Sequence, residues 1–354
     1  MLAPCYNPAM TIEPWALEHP KLRVCTSAEF MYDEMASQSG RSLPVVYRDF
    51  DLTRREDWHD EGCILDFLCC VGADDARILD FGPGDGWPSL RIAPSVGEVI
   101  GVDTSERRIE ECRSNAGRLG LRNARFVRVE AGADLPFEDA SFDGITAASS
   151  IEQSVDPSAT VAELHRVLRP GGTMRLAYEG LRRYAGARER LATVAGWAGG
   201  SAVEVYERDI AGESALMIRV CTPLDPHTLR KRLAVPSGPW LDLDRLSIER
   251  LDRLKADIVE VRVCRLRHPS GKTWVTLCEE AGFSAAGTHS GAEAARRLFG
   301  SGRRRFQPAT HAELTAYLFP VVDSVVTMDA PLNTDPWITA VKPAGDCTTG
   351  DPPT

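Results

Sequence analysis

Ile78-Leu79-Asp80-Phe81-Gly82-Pro83-Gly84-Asp85-Gly86 is the stretch that decides the fold. The apolar pair Ile78 and Leu79 ends a buried strand, and Gly82, Gly84 and Gly86 let the backbone turn sharply and admit a ligand to the main chain. Turns of this kind bind nucleoside cofactors. Beyond it, Trp87-Pro88-Ser89-Leu90-Arg91-Ile92-Ala93 starts a helix, and Pro88 suits a first helical turn, where its missing N–H would have had no partner. Glycine spacing alone does not name the ligand, because Gly-x-Gly-x-Gly is one of several variants of a strand-turn-helix unit.

Further signals follow in order. Glu98-Val99-Ile100-Gly101-Val102-Asp103-Thr104-Ser105 is an apolar strand with an acidic end, where a carboxylate can accept hydrogen bonds from ribose hydroxyls. Ala133-Asp134-Leu135-Pro136-Phe137 is a turn, and Ser141-Phe142-Asp143-Gly144-Ile145-Thr146 a further strand. Glu163 to Arg169 reads as a helix broken by Pro170-Gly171-Gly172, with another strand after it. Strands are expected near Arg77 to Phe81, Glu98 to Val102, Arg125 to Val129, Phe142 to Ala147 and Thr173 to Tyr178. Their alternation with helices implies parallel strands with right-handed crossovers, and ligands in such sheets sit beyond the carboxyl ends of the strands.

This series, continuous from Asp75 to Tyr178, resembles the class I S-adenosylmethionine-dependent methyltransferases, and within them the small-molecule branch. The resemblance implies an α/β, Rossmann-like, seven-stranded doubly wound sheet, with S-adenosyl-L-methionine as cofactor and S-adenosyl-L-homocysteine as product. The implied cofactor-binding residues are Asp80, Phe81, Gly82, Pro83, Gly84, Gly86, Asp103, Thr104, Glu130, Ala131, Gly132 and Ala147. Tyr32, with Asp33, resembles the pair that places a lid contact on the methionine carboxylate. Where relatives carry Gly-Asp-Ala to receive the adenine amino group, this chain has Glu130-Ala131-Gly132. A nicotinamide dehydrogenase fits less well, since dinucleotide turns favour Gly-x-Gly-x-x-Gly and Asp85 would repel a pyrophosphate.

Composition bounds the alternatives. A chain of 354 residues, 43% hydrophobic and 26% charged, is long enough for a full sheet domain and an appendage. No apolar run approaches a membrane span, and Met1-Leu2-Ala3-Pro4-Cys5-Tyr6-Asn7 lacks a signal-peptide pattern, so a cytoplasmic location without membrane partners is expected. The formal net charge of −10 disfavours nucleic acid. Arg182, Arg183, Arg188 and Arg190, the run Arg230-Lys231-Arg232, and Arg303-Arg304-Arg305 read as solvated faces, with an anion-binding patch as the alternative. The 10 cysteines include no Cys-x-x-Cys pair, so no metal site is expected. Methylation of a soft metalloid would need thiolates to converge, and Cys69, Cys70, Cys221, Cys264 and Cys278 are the candidates.

The resemblance implies a division into an N-terminal helical lid region (1–74), the cofactor-binding core (75–180), an insertion (181–271) and the completion of the core sheet (272–343), and the Pro-, Gly-, Thr- and Asp-rich tail (344–354) reads as disordered. Helices are expected at Ala28 to Ala36 and Trp58 to Val71. In the insertion, Ala202 to Arg208 and Ala215 to Cys221 read as a hairpin, and Ile258 to Leu266 as a third strand able to join it. The resulting small antiparallel sheet is expected to cap the crevice or build a homodimer interface. Lys272 to Phe283 reads as a helix ended by Gly282, and Trp337 to Lys342 as the last strand.

Methyl transfer from a sulfonium is an in-line displacement in which the enzyme aligns the acceptor and excludes water. A hydroxyl acceptor also benefits from a base, and Glu152, His289, His227 and His268 are the candidates, whereas His165 reads as structural. The expectation is a small-molecule methyltransferase with oxygen favoured and nitrogen, carbon or sulfur open. Two alternatives stand beside it: an RNA or protein methyltransferase of the same fold, and a catalytically silent, cofactor-binding assembly subunit. The loop Ser150-Ile151-Glu152-Gln153-Ser154 lacks the Asn-Pro-Pro-aromatic tetrad that grips a flipped base, which counts against a DNA methylase.

Overall fold

A computed structural model describes residues 12–25, 30, 50–72, 74–180, 190–197, 199–235, 246–302 and 306–344. The chain forms two compact units, one of residues 42–179 and 270–354, the other of residues 1–41 and 180–269.

The larger unit is built on seven strands: β2 (Arg77–Phe81), β3 (Glu98–Asp103), β4 (Ala124–Arg128), β5 (Phe142–Ala148), β6 (Leu168–Ala177), β11 (Ser284–Thr288) and β12 (Trp337–Val341). Their order is β11-β12-β6-β5-β2-β3-β4. The five strands β2 to β6 are parallel, while β12 runs antiparallel to both β6 and β11. This is the doubly wound sheet expected from the sequence. β2, the middle one of the five parallel strands, pairs Leu79 with Ile100 on one side and Ile145 on the other, and its side chains are apolar on both faces. One face packs Leu79, Ile100, Ile145 and Leu176 against Val161, Leu164 and Trp274, from helices Pro157–Val167 and Gly271–Glu280. The other packs Ile78, Val99 and Ala177 against Cys63, Ile64 and Phe67 of helix Arg55–Val71. Each such aliphatic side chain, fully buried, contributes about 1.5–3 kcal/mol.

Local chemistry sets the helix ends. Ser105 caps Glu106–Leu119 by accepting from the Arg108 N–H, and Gly120, at φ 68°, closes it in the left-handed region. Asp156 caps Pro157–Val167 by accepting from the N–H groups of Ser158 and Ala159.

Pro170-Gly171-Gly172 does not separate a helix from a strand. The helix stops at Val167 and β6 begins at Leu168, with the Pro-Gly-Gly run inside it as a bulge. Phe142 pairs with Leu168 and Gly144 with Thr173, so residues 169–172 loop out opposite Asp143, and Gly171 takes φ 78° there. The expected antiparallel pair β11 and β12 closes the sheet. The chain between them holds two helices the sequence reading lacked, Gly291–Gly302 and His311–Val325, which pack on Arg55–Val71 through Trp58, Leu65, Ala295, Leu314 and Leu318. A Cβ on Gly62 would lie 2.6 Å from that of Ala295, so glycine lets those helices approach.

The smaller unit is a five-stranded sheet, β1 (Leu22–Val24), β7 (Arg190–Trp197), β8 (Gly200–Asp209), β9 (Ser214–Thr222) and β10 (Glu260–Arg267), in the order β1-β10-β9-β8-β7. The expected hairpin is β8–β9 and the expected third strand is β10, which joins antiparallel to β9. β7 and β1 were not read from sequence. β1 corrects the N-terminal boundary: residues 12–25 and Phe30 belong with the inserted sheet, whereas helix Arg55–Val71 belongs to the larger unit. Helices Ile12–Leu17, Pro226–Leu233 and Ile248–Asp252 cover the sheet's apolar face at Val203, Ile218 and Val261. Of the helix expected at Ala28 to Ala36 only Phe30 is described, and the tail beyond Ala344 lies outside the described residues.

Candidate active site

Three glycines shape the turn after β2. Gly82, Gly84 and Gly86 have φ of 74°, 60° and 112°, a region L side chains rarely enter. The turn is also tightly framed. A Cβ on Gly82 would lie 2.5 Å from the Ser150 Cβ and one on Gly86 2.3 Å from the Leu90 Cδ1. Gly84 differs, because among the described residues a Cβ there would meet nothing within 4 Å but an Arg108 guanidinium nitrogen at 3.1 Å. The Ser150 Oγ donates to the Phe81 carbonyl (2.6 Å) and the Asn115 side chain to the Asp85 carbonyl (2.9 Å), so both flanks of the turn are pinned.

Asp80 lies beneath the turn, fully buried. Its carboxylate accepts from the Ser89 hydroxyl, from the Ser89 N–H (3.2 Å) and from the Thr146 hydroxyl (2.9 Å). Burial pushes this carboxyl up to about 6, against the pull of those donors. Asp80 thus braces the turn from inside, tying β2 to β5 and to the first residue of helix Ser89–Ile92.

Asp103, the last residue of β3, is 6% exposed. Its Oδ1 accepts from the Ser105 N–H (2.8 Å), and its Oδ2 is buried without a hydrogen bond. Burial raises this carboxyl, and the nearby Arg108 guanidinium partly offsets the effect at both Asp103 and Asp85. Across the turn, at the end of β5, Ser149 takes φ 51° and leads into the short turn Ile151–Gln153. Glu152 there is 4% exposed, accepts the Glu179 N–H on Oε1 (3.0 Å), and is pushed by burial up to about 7.

Residues 79–176 match the family model described as a methyltransferase domain. Over 96 residues the chain is 40% identical to a demethylmenaquinone methyltransferase of Clavibacter sepedonicus, covering 27% of this chain and 38% of that protein. Over 101 residues it is 32% identical to a 27-O-demethylrifamycin SV methyltransferase of Amycolatopsis mediterranei, covering 28% and 37%. The chain therefore spans less than half the length of these curated relatives. Among solved structures, a S-adenosylmethionine-dependent methyltransferase from Clostridium acetobutylicum superposes with a TM-score of 0.47 at 11% identity, over 89% of this chain and 97% of that one.

The matched segment brings Asp80 to Gly86, Asp103, Thr104 and the Ser149–Glu152 loop to one end of the sheet, at the carboxyl ends of β2, β3 and β5. Ala147 is buried within β5 itself. Glu130, Ala131 and Gly132 follow β4 and are exposed, and Glu130 pairs with Arg128 (3.1 Å). Tyr32 lies outside the described residues.

The candidate bases fall in both units, and the two in the larger one are not gathered. His289 is exposed beyond β11, four strand positions from β2. His227 and His268 belong to the other unit, where the first is exposed in helix Pro226–Leu233 and the second is buried with its N–H on the Glu213 carbonyl (2.7 Å). Within the larger unit it is Glu152, two residues beyond the Ser150 that packs on Gly82, that stands beside the glycine turn. His165 is structural, its ring set edge-on to Phe283 at 4.8 Å.

The cysteines also stay apart. Cys221 lies opposite Glu260 and Cys264 opposite Met217, four positions along the same ladder, while Cys278 and the pair Cys69–Cys70 belong to the other unit. Among the described residues no group of three or more His, Cys, Asp or Glu could hold a metal ion. Burial raises Cys69 to about 12 and Cys70 to about 11, so both remain thiols at neutral pH.

Proposed function

We propose that the chain is a S-adenosylmethionine-dependent methyltransferase acting on a small molecule, with a hydroxyl oxygen as the favoured acceptor. The observation that carries this reading is Asp103: a buried carboxylate oxygen without a hydrogen bond, at the end of the strand beside a positive-φ glycine turn, inside a methyltransferase domain. An unpaired buried carboxylate is costly, and ribose hydroxyls supply the donors it lacks. Gly84 offers the cofactor a stretch of backbone without a side chain. The names of the relatives, which describe methylation of small molecules, point the same way.

When bound, the cofactor supplies an already activated methyl group on a positive sulfur. The protein's own work is then to hold and align. Asp103 orients the ribose, Asp80 and Ser150 keep the glycine turn in register, and closure over the crevice excludes water. The unit built on the five-stranded sheet, which lies outside the matched segment, is assigned the choice of acceptor, as a cap or as a self-associating surface.

Calorimetry with S-adenosylmethionine and S-adenosylhomocysteine tests the premise, and no binding to the folded protein would overturn it. Incubation with cofactor labelled on the methyl group and fractionated small-molecule extract tests the rest. Label is expected in a small molecule, and its recovery only in RNA or protein would refute the acceptor class.

A further inference from the structure

One buried carboxylate beside the glycine turn has no cation among the described residues to answer it. The Glu152 Oε2 is buried and makes no hydrogen bond, while Oε1 is held by the backbone N–H of Glu179, just past the end of β6. The charged group that faces it is Glu179, a like charge. On helix Pro157–Val167, packed behind the loop, Glu163 and Arg166 are paired with each other (2.6 Å) and His165 is set against Phe283. No cationic side chain among the described residues pairs with Glu152.

Strand order fixes where the loop that carries this carboxylate lies. In the sequence β6-β5-β2-β3, Asp103 stands at the end of β3 on one side of the glycine turn, and Glu152 at the ends of β5 and β6 on the other. A nucleoside cofactor whose ribose is held at Asp103 and which crosses the turn directs its aminoacyl sulfonium portion toward β5.

We propose that Glu152 is the counter-ion of the cofactor's sulfonium and the group by which the site distinguishes the cationic cofactor from its neutral thioether product. This rests on the function proposed above. In the free protein Glu152, raised by burial to about 7, is substantially protonated near neutral pH. A fixed positive charge brought beside it favours the carboxylate, so the carboxyl proton passes to solvent when the cofactor binds. No bond of the cofactor changes in that step. S-adenosylhomocysteine shares the adenosine and the α-ammonium group but has no charge on sulfur, and leaves the proton in place.

The test is titration calorimetry of both ligands at about pH 6.5, repeated in two buffers of different ionisation enthalpy so that released protons are counted. S-adenosylmethionine is expected to release roughly half to three-quarters of a proton more than S-adenosylhomocysteine, given a carboxyl near 7. Its affinity relative to the product should rise with pH between about 5.5 and 7, approaching tenfold for each unit by which the sulfonium lowers the carboxyl. Asp80 also titrates near this range, so Glu152→Gln assigns the proton. That variant should abolish the difference between the ligands while keeping affinity for S-adenosylhomocysteine within about threefold, a shift under 1 kcal/mol. Equal proton release by both ligands, or an excess that persists in Glu152→Gln, overturns the proposal. Failure of the folded protein to bind either ligand overturns the proposed function, and this inference with it.

Discussion

Asp103→Asn separates a ligand-binding carboxylate from a structural one. In the protein Oδ1 holds the Ser105 N–H at 2.8 Å and Oδ2 holds nothing, although the residue is only 6% exposed. Asparagine keeps the oxygen that serves Ser105 and replaces the orphaned, charged acceptor by a neutral amide donor. The free protein keeps the Ser105 hydrogen bond and is relieved of a desolvated charge that Arg108 and the Thr104 and Gly84 N–H groups only partly offset, so its melting temperature should stay the same or rise. Binding should suffer, because a hydrogen bond to a charged group contributes about 1.5–3 kcal/mol, which corresponds to a roughly 10- to 150-fold weaker Kd. Calorimetry with S-adenosylhomocysteine measures the affinity and thermal melts of the free protein measure the fold. An affinity within about threefold of wild type, under 1 kcal/mol, would refute the assignment of Oδ2 to the ribose. A lowered melting temperature with proportionate loss of binding would make Asp103 a structural residue.

Gly84→Val should abolish cofactor binding at modest cost in stability, about 1–2 kcal/mol for a side chain at positive φ, because the space above it is otherwise open; retained calorimetric affinity would mean that the ligand does not approach this backbone. Asp80 is raised to about 6 in the folded state, so the stability it contributes is fully present below its unfolded value near 3.8 and is lost as pH rises through 6. Urea unfolding should therefore show wild type losing about 2–2.5 kcal/mol relative to Asp80→Asn between pH 4 and 7, and parallel curves would contradict this. Arg175, fully buried on β6, forms a two-pronged ion pair with Asp66 and also donates to Thr288, Thr339 and the His289 carbonyl. Arg175→Met should cost about 3–5 kcal/mol in the same assay, and Asp66→Leu added to it should recover much of the loss.

The elements legible in the sequence are those whose signal is local. Ile78-Leu79 and Val99-Ile100 are apolar runs because β2 and β3 are covered on both faces, and Ser105, Asp156 and Gly120 mark helix ends by side-chain or backbone chemistry within a few residues. β7 hid because Ala192, Ala195 and Gly196 weaken its pattern at the sheet edge. β1 hid because it has only 3 residues and its partner, Val261 to Val263, lies far along the chain. The helix His311–Val325 carries Pro320 inside it, a residue that argues against a helix interior by propensity, and packing of Leu314, Leu318 and Val322 overrides that signal.

The site divides along the same line. Cofactor recognition by backbone is legible, because positive φ leaves glycine with few substitutes, so Gly82, Gly84 and Gly86 must be written in the sequence wherever the turn is made. Recognition by side chains has no such constraint. Asp80 and Asp103 look alike as acidic strand ends, yet one is spent on Ser89 and Thr146 and the other keeps an unpaired oxygen, a difference set by neighbours up to 66 residues away. The five-stranded sheet makes the point more strongly. Glu204, Arg219 and Arg262 stand in one cross-strand row, opposite in face to the apolar Val203, Ile218 and Val261, and the alternation reads as a sheet with one side in water. Yet Arg219 is 1% exposed, held by Glu204 at 2.8 Å with its guanidinium over the Phe30 ring, and Arg262 is 7% exposed, held by Glu260 at 2.6 Å. Period-two patterning reports which residues share a face and not what covers that face. An acceptor site built from such a row would be written in the same letters as a solvent-exposed one, which is why the methyl donor can be read from this sequence and the acceptor cannot.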